Sequence, residues 1–377
     1  MFQYFPGNYP WSSAFNLALM AGGTVGELHR GLQALREGDP DSDEWAAAWE
    51  AMARQQEASA ERDLAAGRMK SASARLLRAS VYHQSGERQI PPGDEKLASY
   101  RASLDAFTSA IEYGDLGLQR LEAPSPDGVL PAYLIPPTPG TFDAPPPVVI
   151  FYGGFDVTKE MLYCFVTDVF ARRGIACLVV DTPGVGEPLR FRDVPSRPDY
   201  EVPTGAVIDE LERREDIDPE RIGIMGISLG GYYAPRAAAF EPRIKSVCAW
   251  GAIWDWGATW EHRWATRSPN VSVPWFQLPW VMGTETMEEG LERVKQWTLV
   301  DVLPELRQPF LIVHGEADRQ IPVADAHRAF DAAGSPDKEL FVFTEADGGA
   351  QHCQTDEPDP ARQLIADWFA SKLEAGR

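Results

Sequence analysis

The sequence predicts an α/β protein in which helices flank a mostly parallel sheet, and three observations support this fold class. The chain has 377 residues, and 44% of them are apolar, which is enough for a large buried core. From about Leu116 onward, short apolar runs alternate with helical segments, as in parallel sheets covered on both faces. Residues 1–114 instead carry helix signals and almost no strand signals. We therefore expect a helical N-terminal domain over residues 1–114 and an α/β domain over residues 115–377.

The N-terminal domain is expected to hold four helices. Residues 24–27 fit a capping box, in which the side chains of Thr24 and Glu27 each accept the other residue's backbone N–H, ahead of a helix that ends near Arg36. Three more helices are expected from Asp41 or Ser42 onward, over residues 68–83 and over residues 94–113. The opening segment, residues 4–11, is strongly aromatic, and we expect it to pack near the entrance of a binding pocket.

Eight strands are expected in the α/β domain. Two of them, residues 119–121 and 129–135, are expected to pair at an edge of the sheet. The other six are apolar almost throughout, as strands buried on both faces should be. They cover residues 148–151, 176–180, 222–225, 246–250, 310–313 and 340–343.

The stretch of residues 251–299, the Trp-rich insertion, is too long for a simple crossover between neighbouring strands. Its tryptophans are Trp254, Trp256, Trp260, Trp264, Trp275, Trp280 and Trp297. Because aromatic insertions at the carboxyl ends of strands commonly line pockets, we expect a cap over the strand ends. The alternative is a structural extension whose tryptophans only fill its own core.

Charge and cysteine content narrow the function classes. The formal net charge of −21 argues against nucleic acid and anionic membranes as partners, since both bind clusters of Lys and Arg. The cysteines have no metal-ligand spacing and are expected to be free thiols in a reducing compartment. They are Cys164, Cys177, Cys248 and Cys353. With no secretion signal and no apolar stretch of about 20 residues, the cytoplasm is the expected compartment.

The strongest local signal is the sequence GISLGG over residues 226–231. It lies directly between a predicted strand and a predicted helix, which is the context of a nucleophile elbow. The glycines leave room for a tight turn that holds the central residue in a strained conformation. Ser228 is therefore the candidate nucleophile, exposed at a helix N-terminus where the helix dipole favours developing negative charge.

A serine hydroxyl needs a base, and in this kind of fold an acid and then a histidine follow the nucleophile along the chain. Asp318 follows a predicted strand in the sequence HGEAD, and we prefer it to Glu316 because Glu316 lies closer to the strand. His352 follows the last predicted strand in a glycine-rich loop that can bring its ring over Ser228. The other five histidines precede the acid, end a strand or lie in a helix. Ser228, Asp318 and His352 are therefore the predicted catalytic triad.

An oxyanion hole needs two backbone N–H groups directed at the developing negative charge. One is expected from Leu229, the residue after the nucleophile. The other is expected from the loop after the strand over residues 148–151, where Gly154 is the candidate and Phe155 the second choice. The sequence has no motif for a metal site or for binding a nucleotide phosphate, so we expect neither a metal nor a cofactor.

Together these motifs resemble those of the α/β-hydrolase fold. The elbow, the pair Trp250 and Gly251, the segment from His314 to Asp318 and the run AQHC over residues 350–353, behind a helical N-terminal domain, are similar to a narrower group. That group comprises 2,6-dihydroxypseudooxynicotine hydrolase and the yellowish-green 1 type hydrolases that shorten fungal polyketides, with FrsA-like esterases more distantly related. The resemblance implies hydrolysis of a C–C bond beside a ketone, without a cofactor.

The resemblance also implies roles for individual residues. Ser228 would attack the ketone, His352 would take its proton and Asp318 would orient the imidazole. A glutamate of the cap would assist proton transfer, and Glu261 is the candidate, with a solvated carboxylate as the alternative. The substrate would be a small molecule, and the N-terminal helices would either cover the site or form a homodimer. A carboxylesterase, a lactone hydrolase, an acyltransferase and an inactive binding protein are the alternatives.

Overall fold

The computed structural model of the chain describes residues 2–38, 41–141 and 145–375. These residues divide into two compact units. The helical unit comprises Phe2–Leu118 and the short segment Val271–Phe276, and the sheet unit comprises Gln119–Asn270 and the chain from Gln277 onward. A segment of the Trp-rich insertion therefore belongs to the helical unit, which the sequence analysis did not anticipate.

The helical unit is built from long helices joined by short links. They are α1 (Tyr9–Met20), α2 (Val25–Glu37), α3 (Ser42–Ala65), α4 (Met69–Glu87) and α5 (Asp94–Gly114). Helix α4 packs against both α3 and α5. The sequence pattern does not reveal α1, because Pro6 precedes the helix and Pro10 lies at its start. Pro10 lies in its first turn, where proline costs no hydrogen bond, and Asn8 caps it by accepting the Trp11 N–H at 3.1 Å.

The capping box predicted at the start of α2 is not formed. Thr24 is the N-cap residue, but its side chain makes no capping hydrogen bond. Glu27 instead accepts the hydroxyl hydrogen of Tyr82 at 2.7 Å and pairs with Arg78 at 3.2 Å. The Glu27 side chain therefore makes tertiary contacts instead of the predicted capping hydrogen bond.

The aromatic opening segment packs within the helical unit. The ring of Tyr4 stacks on Phe15 with centroids 4.2 Å apart, and Phe5 meets Trp11 edge-on at 5.5 Å. Trp11 in turn lies 4.6 Å from the ring of Trp45, which is fully buried. The segment therefore contributes to the apolar core that holds the helices together.

The sheet unit contains an eight-stranded sheet in the order β1-β2-β4-β3-β5-β6-β7-β8. Strand β1 pairs antiparallel with β2, and β2 antiparallel with β4, while the remaining pairs are parallel. The strands are β1 (Gln119–Ser125), β2 (Gly128–Ile135), β3 (Val148–Tyr152), β4 (Ala176–Val180), β5 (Ile222–Ile227), β6 (Ile244–Trp250), β7 (Phe310–Gly315) and β8 (Lys338–Phe343). The predicted mostly parallel sheet, with an antiparallel pair at one edge, is confirmed.

Helices connect and flank these strands. They are α6 (Lys159–Ala171), α7 (Gly186–Arg192), α8 (Glu201–Leu211), α9 (Gly230–Phe240), α10 (Trp256–Thr266), α11 (Gln277–Met282), α12 (Met287–Val294), α13 (Val323–Ala332) and α14 (Pro358–Lys372). Helices α10, α11 and α12 form the Trp-rich insertion, and a β-bridge between Asp255 and Thr298 joins its two ends. Within the described residues, no helix is both long enough and apolar enough to cross a membrane.

Candidate active site

Ser228 occupies the turn between β5 and α9. Its φ is 58°, in the left-handed region that residues other than glycine rarely adopt. The Ser228 N–H donates to the carbonyl of Trp250 at 2.8 Å, and the Ser228 carbonyl accepts the N–H of Gly231 at 2.7 Å. Both bonds hold the backbone in this conformation, so the serine side chain projects from the N-terminal end of α9.

The glycines of this turn are required by close backbone approach. A Cβ on Gly226 would lie 2.1 Å from the Gly230 oxygen, and a Cβ on Gly230 would lie 2.7 Å from the Tyr152 oxygen. A Cβ on Gly231 would lie 2.1 Å from the oxygen of Gly251. Because each distance is shorter than any ordinary contact, larger residues would push the turn away from β3 and from the end of β6.

The side chains of Ser228, Asp318 and His352 meet at one place. His352 Nε2 lies 2.9 Å from Ser228 Oγ, and His352 Nδ1 lies 2.7 Å from Asp318 Oδ2. An ionised carboxylate only accepts hydrogen bonds, so Nδ1 carries the ring hydrogen and donates it to Asp318. Nε2 is then left to accept the hydrogen of the serine hydroxyl. This is the arrangement that nucleophile, base and orienting acid require.

Burial and charge have opposite effects on the pKa values of His352 and Asp318. Burial has the largest single effect on the pKa of His352 and lowers it, but the charge and hydrogen bond of Asp318, together with Cys353, outweigh burial, so the pKa of the ring lies above its ordinary value. Burial likewise raises the pKa of Asp318, but the charge and hydrogen bond of His352 bring it below its ordinary value. Asp318 is therefore ionised and stabilises the protonated imidazole that forms when the base takes a proton.

Two loops bring the acid and the base together. Asp318 lies in the loop after β7, and His352 lies in the loop after β8, at the start of a short 3-10 helix. The two loops are joined by a hydrogen bond from the Ala317 N–H to the carbonyl of Ala350 at 2.9 Å. Glu316, the competing carboxylate, accepts the backbone N–H of Glu345 at 2.6 Å and takes no part in the group.

The loop after β3 passes directly beside the serine. A Cβ on Gly154 would lie 2.8 Å from Ser228 Cβ and 3.3 Å from Ser228 Oγ, so this backbone approaches the serine as only glycine allows. In the part of the chain that the structure describes, the backbone N–H groups of Leu229, Gly154 and Phe155 have no hydrogen-bond acceptor. They are thus available to a negatively charged oxygen at this position.

A second histidine faces the acid. His314, at the end of β7, is fully buried, and its Nε2 lies 3.0 Å from the carbonyl of Ile321 and 3.6 Å from Asp318 Oδ2. Burial lowers the pKa of His314 below its ordinary value, which keeps the ring neutral. From the sequence, His314 is one of the histidines set aside because it ends a strand, and its proximity to the acid is not predicted. Its position four residues before Asp318 was the available signal.

Glu261, the cap glutamate that the resemblance suggested, does not lie in this group of side chains. The Glu261 side chain is 52% exposed, and its carboxylate lies 3.2 Å from the ammonium of Lys295. Helix α10 turns Trp256, Trp260 and Arg263 inward, so the helical period carries Glu261 toward solvent. This exposed, ion-paired position fits the alternative of a solvated carboxylate, and a role for Glu261 in proton transfer stays a prediction.

Among the residues that the structure describes, one group of acidic side chains has the spacing to hold a metal ion: Glu160, Asp181 and Glu187. The ammonium of Lys159 lies among them, at 2.6 Å from Glu160, 2.9 Å from Asp181 and 2.7 Å from Glu187. Burial alone would raise the pKa of Glu187, but Lys159 and Arg120 lower it to about 2. Because a side-chain cation already compensates these carboxylates, we assign no metal to them.

Comparison with known proteins shows the family. The family described as esterase FrsA-like matches residues 26–257, and the prolyl oligopeptidase family matches residues 163–375. The hydrolase LUC6 of Fusarium sp is 31% identical over an alignment of 392 positions, gaps included, which covers 93% of each chain. The 2,6-dihydropseudooxynicotine hydrolase of Paenarthrobacter nicotinovorans is 30% identical over 342 residues, which cover 88% of this chain and 86% of the relative.

A solved structure gives the same result for the fold. The crystal structure of the 2,6-dihydroxy-pseudo-oxynicotine hydrolase superposes with a TM-score of 0.78 at 27% identity, and the match covers 95% of each chain. The agreement extends over both the helical N-terminal region and the sheet. The chain therefore belongs to the FrsA-like esterase family and is a hydrolase of the α/β-hydrolase fold.

Proposed function

We propose that the protein is a serine hydrolase in which Ser228 is the nucleophile, His352 the general base and Asp318 the acid that orients the ring. The N–H groups of Leu229 and Gly154 are proposed to stabilise the oxyanion. One observation supports this most strongly. A single imidazole bridges the serine hydroxyl at 2.9 Å and the buried carboxylate at 2.7 Å, with the ring hydrogen on the side of the acid.

The proposed reaction is hydrolysis of the C–C bond beside a ketone in an aromatic or polyketide-like small molecule. Ser228 Oγ adds to the ketone carbon while His352 takes its proton, and Leu229 and Gly154 stabilise the oxyanion. The C–C bond then breaks, and its electron pair leaves with the departing carbon, which His352 protonates. Water releases the acid from the acyl-enzyme. The likeness to a hydrolase named for pseudooxynicotine, over most of both chains, supports this substrate class.

A carboxylesterase or lactone hydrolase is the second candidate. The esterase description of the matching family supports it. The acyl-enzyme and its hydrolysis are the same in both reactions, so the triad serves either one. The difference lies in the leaving group: an ester expels an alkoxide, whereas C–C cleavage requires a carbanion stabilised by a second carbonyl or a phenolic ring.

Product analysis on paired substrates tests the proposal. A β-diketone and an ester that share the same acyl group are each incubated with the protein, and the products are identified by mass spectrometry. We expect the shared acid from both substrates, together with the ketone released from the diketone. Ser228→Ala should lower both rates by a factor of about 10⁶, because the nucleophile is lost. Cleavage of the ester alone would favour the second candidate, and unchanged rates in Ser228→Ala would contradict both.

A further inference from the structure

The carboxylate of Asp318 binds the backbone of the loop that follows it. We call residues 318–322 the acid loop. Asp318 Oδ1 accepts the backbone N–H of Gln320 at 2.7 Å and that of Ile321 at 3.0 Å. These two bonds fix the plane of the carboxylate and leave Oδ2 to accept the hydrogen of His352. The orientation of Asp318 therefore depends on where the backbone of Gln320 and Ile321 is held.

Two side chains from outside the loop bind the carbonyls of those same two residues. His314 Nε2, on β7, lies 3.0 Å from the carbonyl of Ile321, and its N–H donates to it. Arg263 Nη2, on α10 of the Trp-rich insertion, donates to the carbonyl of Gln320 at 2.7 Å. The acid loop is thus held on two adjacent peptide groups, from the sheet on one side and from the insertion on the other.

The Arg263 side chain is itself held in place. It is 5% exposed, and its guanidinium carbon lies 4.7 Å from the Trp256 ring centroid and 5.4 Å from that of Trp260. Cation–π contacts of this kind strengthen when the guanidinium is removed from water. A buried arginine packed against two rings has few alternative positions, so its bond to Gln320 transmits the position of α10 to the acid loop.

We propose that Arg263 and His314 are positioning residues that clamp the acid loop and keep Asp318 aligned with His352. This inference rests on the proposed function of the triad and extends it to the Trp-rich insertion. The insertion then contributes to catalytic competence through Arg263 as well as through whatever surface it offers the substrate. A loss of the clamp lowers the rate of the chemical step and leaves substrate binding nearly unchanged.

Substitutions of Arg263 test this on the full chain with an activated ester. Arg263→Met keeps much of the aliphatic packing and removes the donor. We expect kcat to fall about tenfold, as for a lost hydrogen bond of a charged donor, with KM changed less than twofold. Arg263→Lys restores one donor and should recover part of kcat. Arg328→Met is the matched control. Arg263 and Arg328 both line a cavity of about 470 Å³, but the Arg328 side chain is 63% exposed and pairs with Asp325.

Substitutions of His314 test the other side of the clamp. Gln can place its amide N–H near the position of Nε2, whereas Leu cannot donate. We expect His314→Gln to keep most of kcat and His314→Leu to lose about tenfold, in samples whose urea unfolding transitions show both variants folded. A wild-type kcat in folded Arg263→Met and His314→Leu would overturn the clamp. If the wild-type chain fails to react with a fluorophosphonate probe at Ser228, the proposed function itself fails instead.

Discussion

At the scale of single residues, the two oxygens of Asp318 have different partners. Oδ1 accepts two backbone N–H groups of its own loop, and Oδ2 accepts the ring hydrogen of His352. One oxygen therefore fixes the side chain, and the other fixes the imidazole tautomer. The proximity of the carboxylate also raises the pKa of His352, against the effect of burial. Charge and orientation at the base thus depend on the same residue.

The pH dependence of activity tests this dual role. A base acts only when it is unprotonated, so kcat/KM should rise as pH increases through the pKa of His352. Asp318→Asn removes the negative charge, so the pKa of His352 should fall and the midpoint of that rise should move to lower pH. Because the amide can also hold the wrong tautomer, the maximal rate should fall by about 10³–10⁴. Because the pKa of His352 is raised to about 10, ester hydrolysis is measured from about pH 6 to about pH 11, and an unmoved midpoint would contradict the expected shift.

Sequence order and strand context were sufficient to propose Ser228, Asp318 and His352, because each side chain follows a strand whose position an apolar run reveals. Their convergence is observed in the structure, and their catalytic role stays a prediction. Glu261 could not be assigned in the same way. Its orientation depends on which face of α10 turns inward, and tertiary packing decides that face. Arg263, on the inward face of that helix, carried no local signal for its contact with Gln320.

At the scale of elements, a buried ion cluster joins the start of α6 to the end of β4. The backbone N–H of Lys159, the first residue of α6, donates to Asp181 Oδ1 at 2.8 Å, and the Lys159 ammonium pairs with Asp181 Oδ2 at 2.9 Å. Lys159 and Asp181 are both fully buried. The loop that carries Gly154 lies between β3 and this helix start, so the cluster fixes one end of the loop beside Ser228.

Removing the cation tests the importance of this cluster. Lys159→Met leaves the carboxylates of Glu160, Asp181 and Glu187 without their central positive charge. We expect the free energy of unfolding to fall by about 3–5 kcal/mol, as when one partner of a buried ion pair is removed. Urea unfolding followed by circular dichroism measures this. Lys245→Met is the control, since Lys245 lies 4.0 Å from Glu220 at an exposed position and should matter little. Equal unfolding midpoints for both variants would contradict the expectation.

Local sequence patterns do not reliably predict the capping hydrogen bonds at the starts of α2 and α3. The expected capping box at Thr24 is replaced by a tertiary hydrogen bond from Tyr82 to Glu27, whereas Asp41 and Glu44 do form a reciprocal capping box at α3. Both helix starts have the residues that a capping box requires. The box is absent at α2 because Tyr82, on α4, binds the side chain of Glu27. Strand positions, in contrast, followed from continuous apolar runs, because burial on both faces leaves little room for polar residues.

At the scale of the whole molecule, the chain enters the helical unit twice. Val271–Phe276 belongs to that unit although it lies within the Trp-rich insertion of the sequence. Val271 and Val273 are buried, the Ser272 carbonyl accepts a hydrogen bond from Arg88 at 3.3 Å, and the Phe276 ring lies 5.8 Å from the Lys96 ammonium. A boundary drawn between two continuous stretches of sequence omits these contacts. The homodimer and the cytoplasmic location expected from the sequence stay predictions.

A fragment experiment tests the contribution of this segment. A fragment of residues 1–118 lacks it and should unfold at a temperature that rises when a synthetic peptide of residues 268–279 is added. Ligands that bind only the folded state stabilise it in proportion to the logarithm of their concentration. A peptide carrying Val271→Ser and Val273→Ser should have much less effect, since each buried valine contributes about 1.5 kcal/mol or more. An unfolding temperature that neither peptide changes would show that the helices are complete without the segment.

The divided helical unit has a consequence for biosynthesis. When Leu118 leaves the ribosome, Val271–Phe276 has not yet been made, so the unit cannot reach its final packing. At roughly 5–20 residues per second, the missing segment follows on the order of ten seconds later. During that interval the nascent helices expose apolar surface that the finished protein covers. The helical unit can therefore complete its packing only after residues 119–270 of the sheet unit have been synthesised.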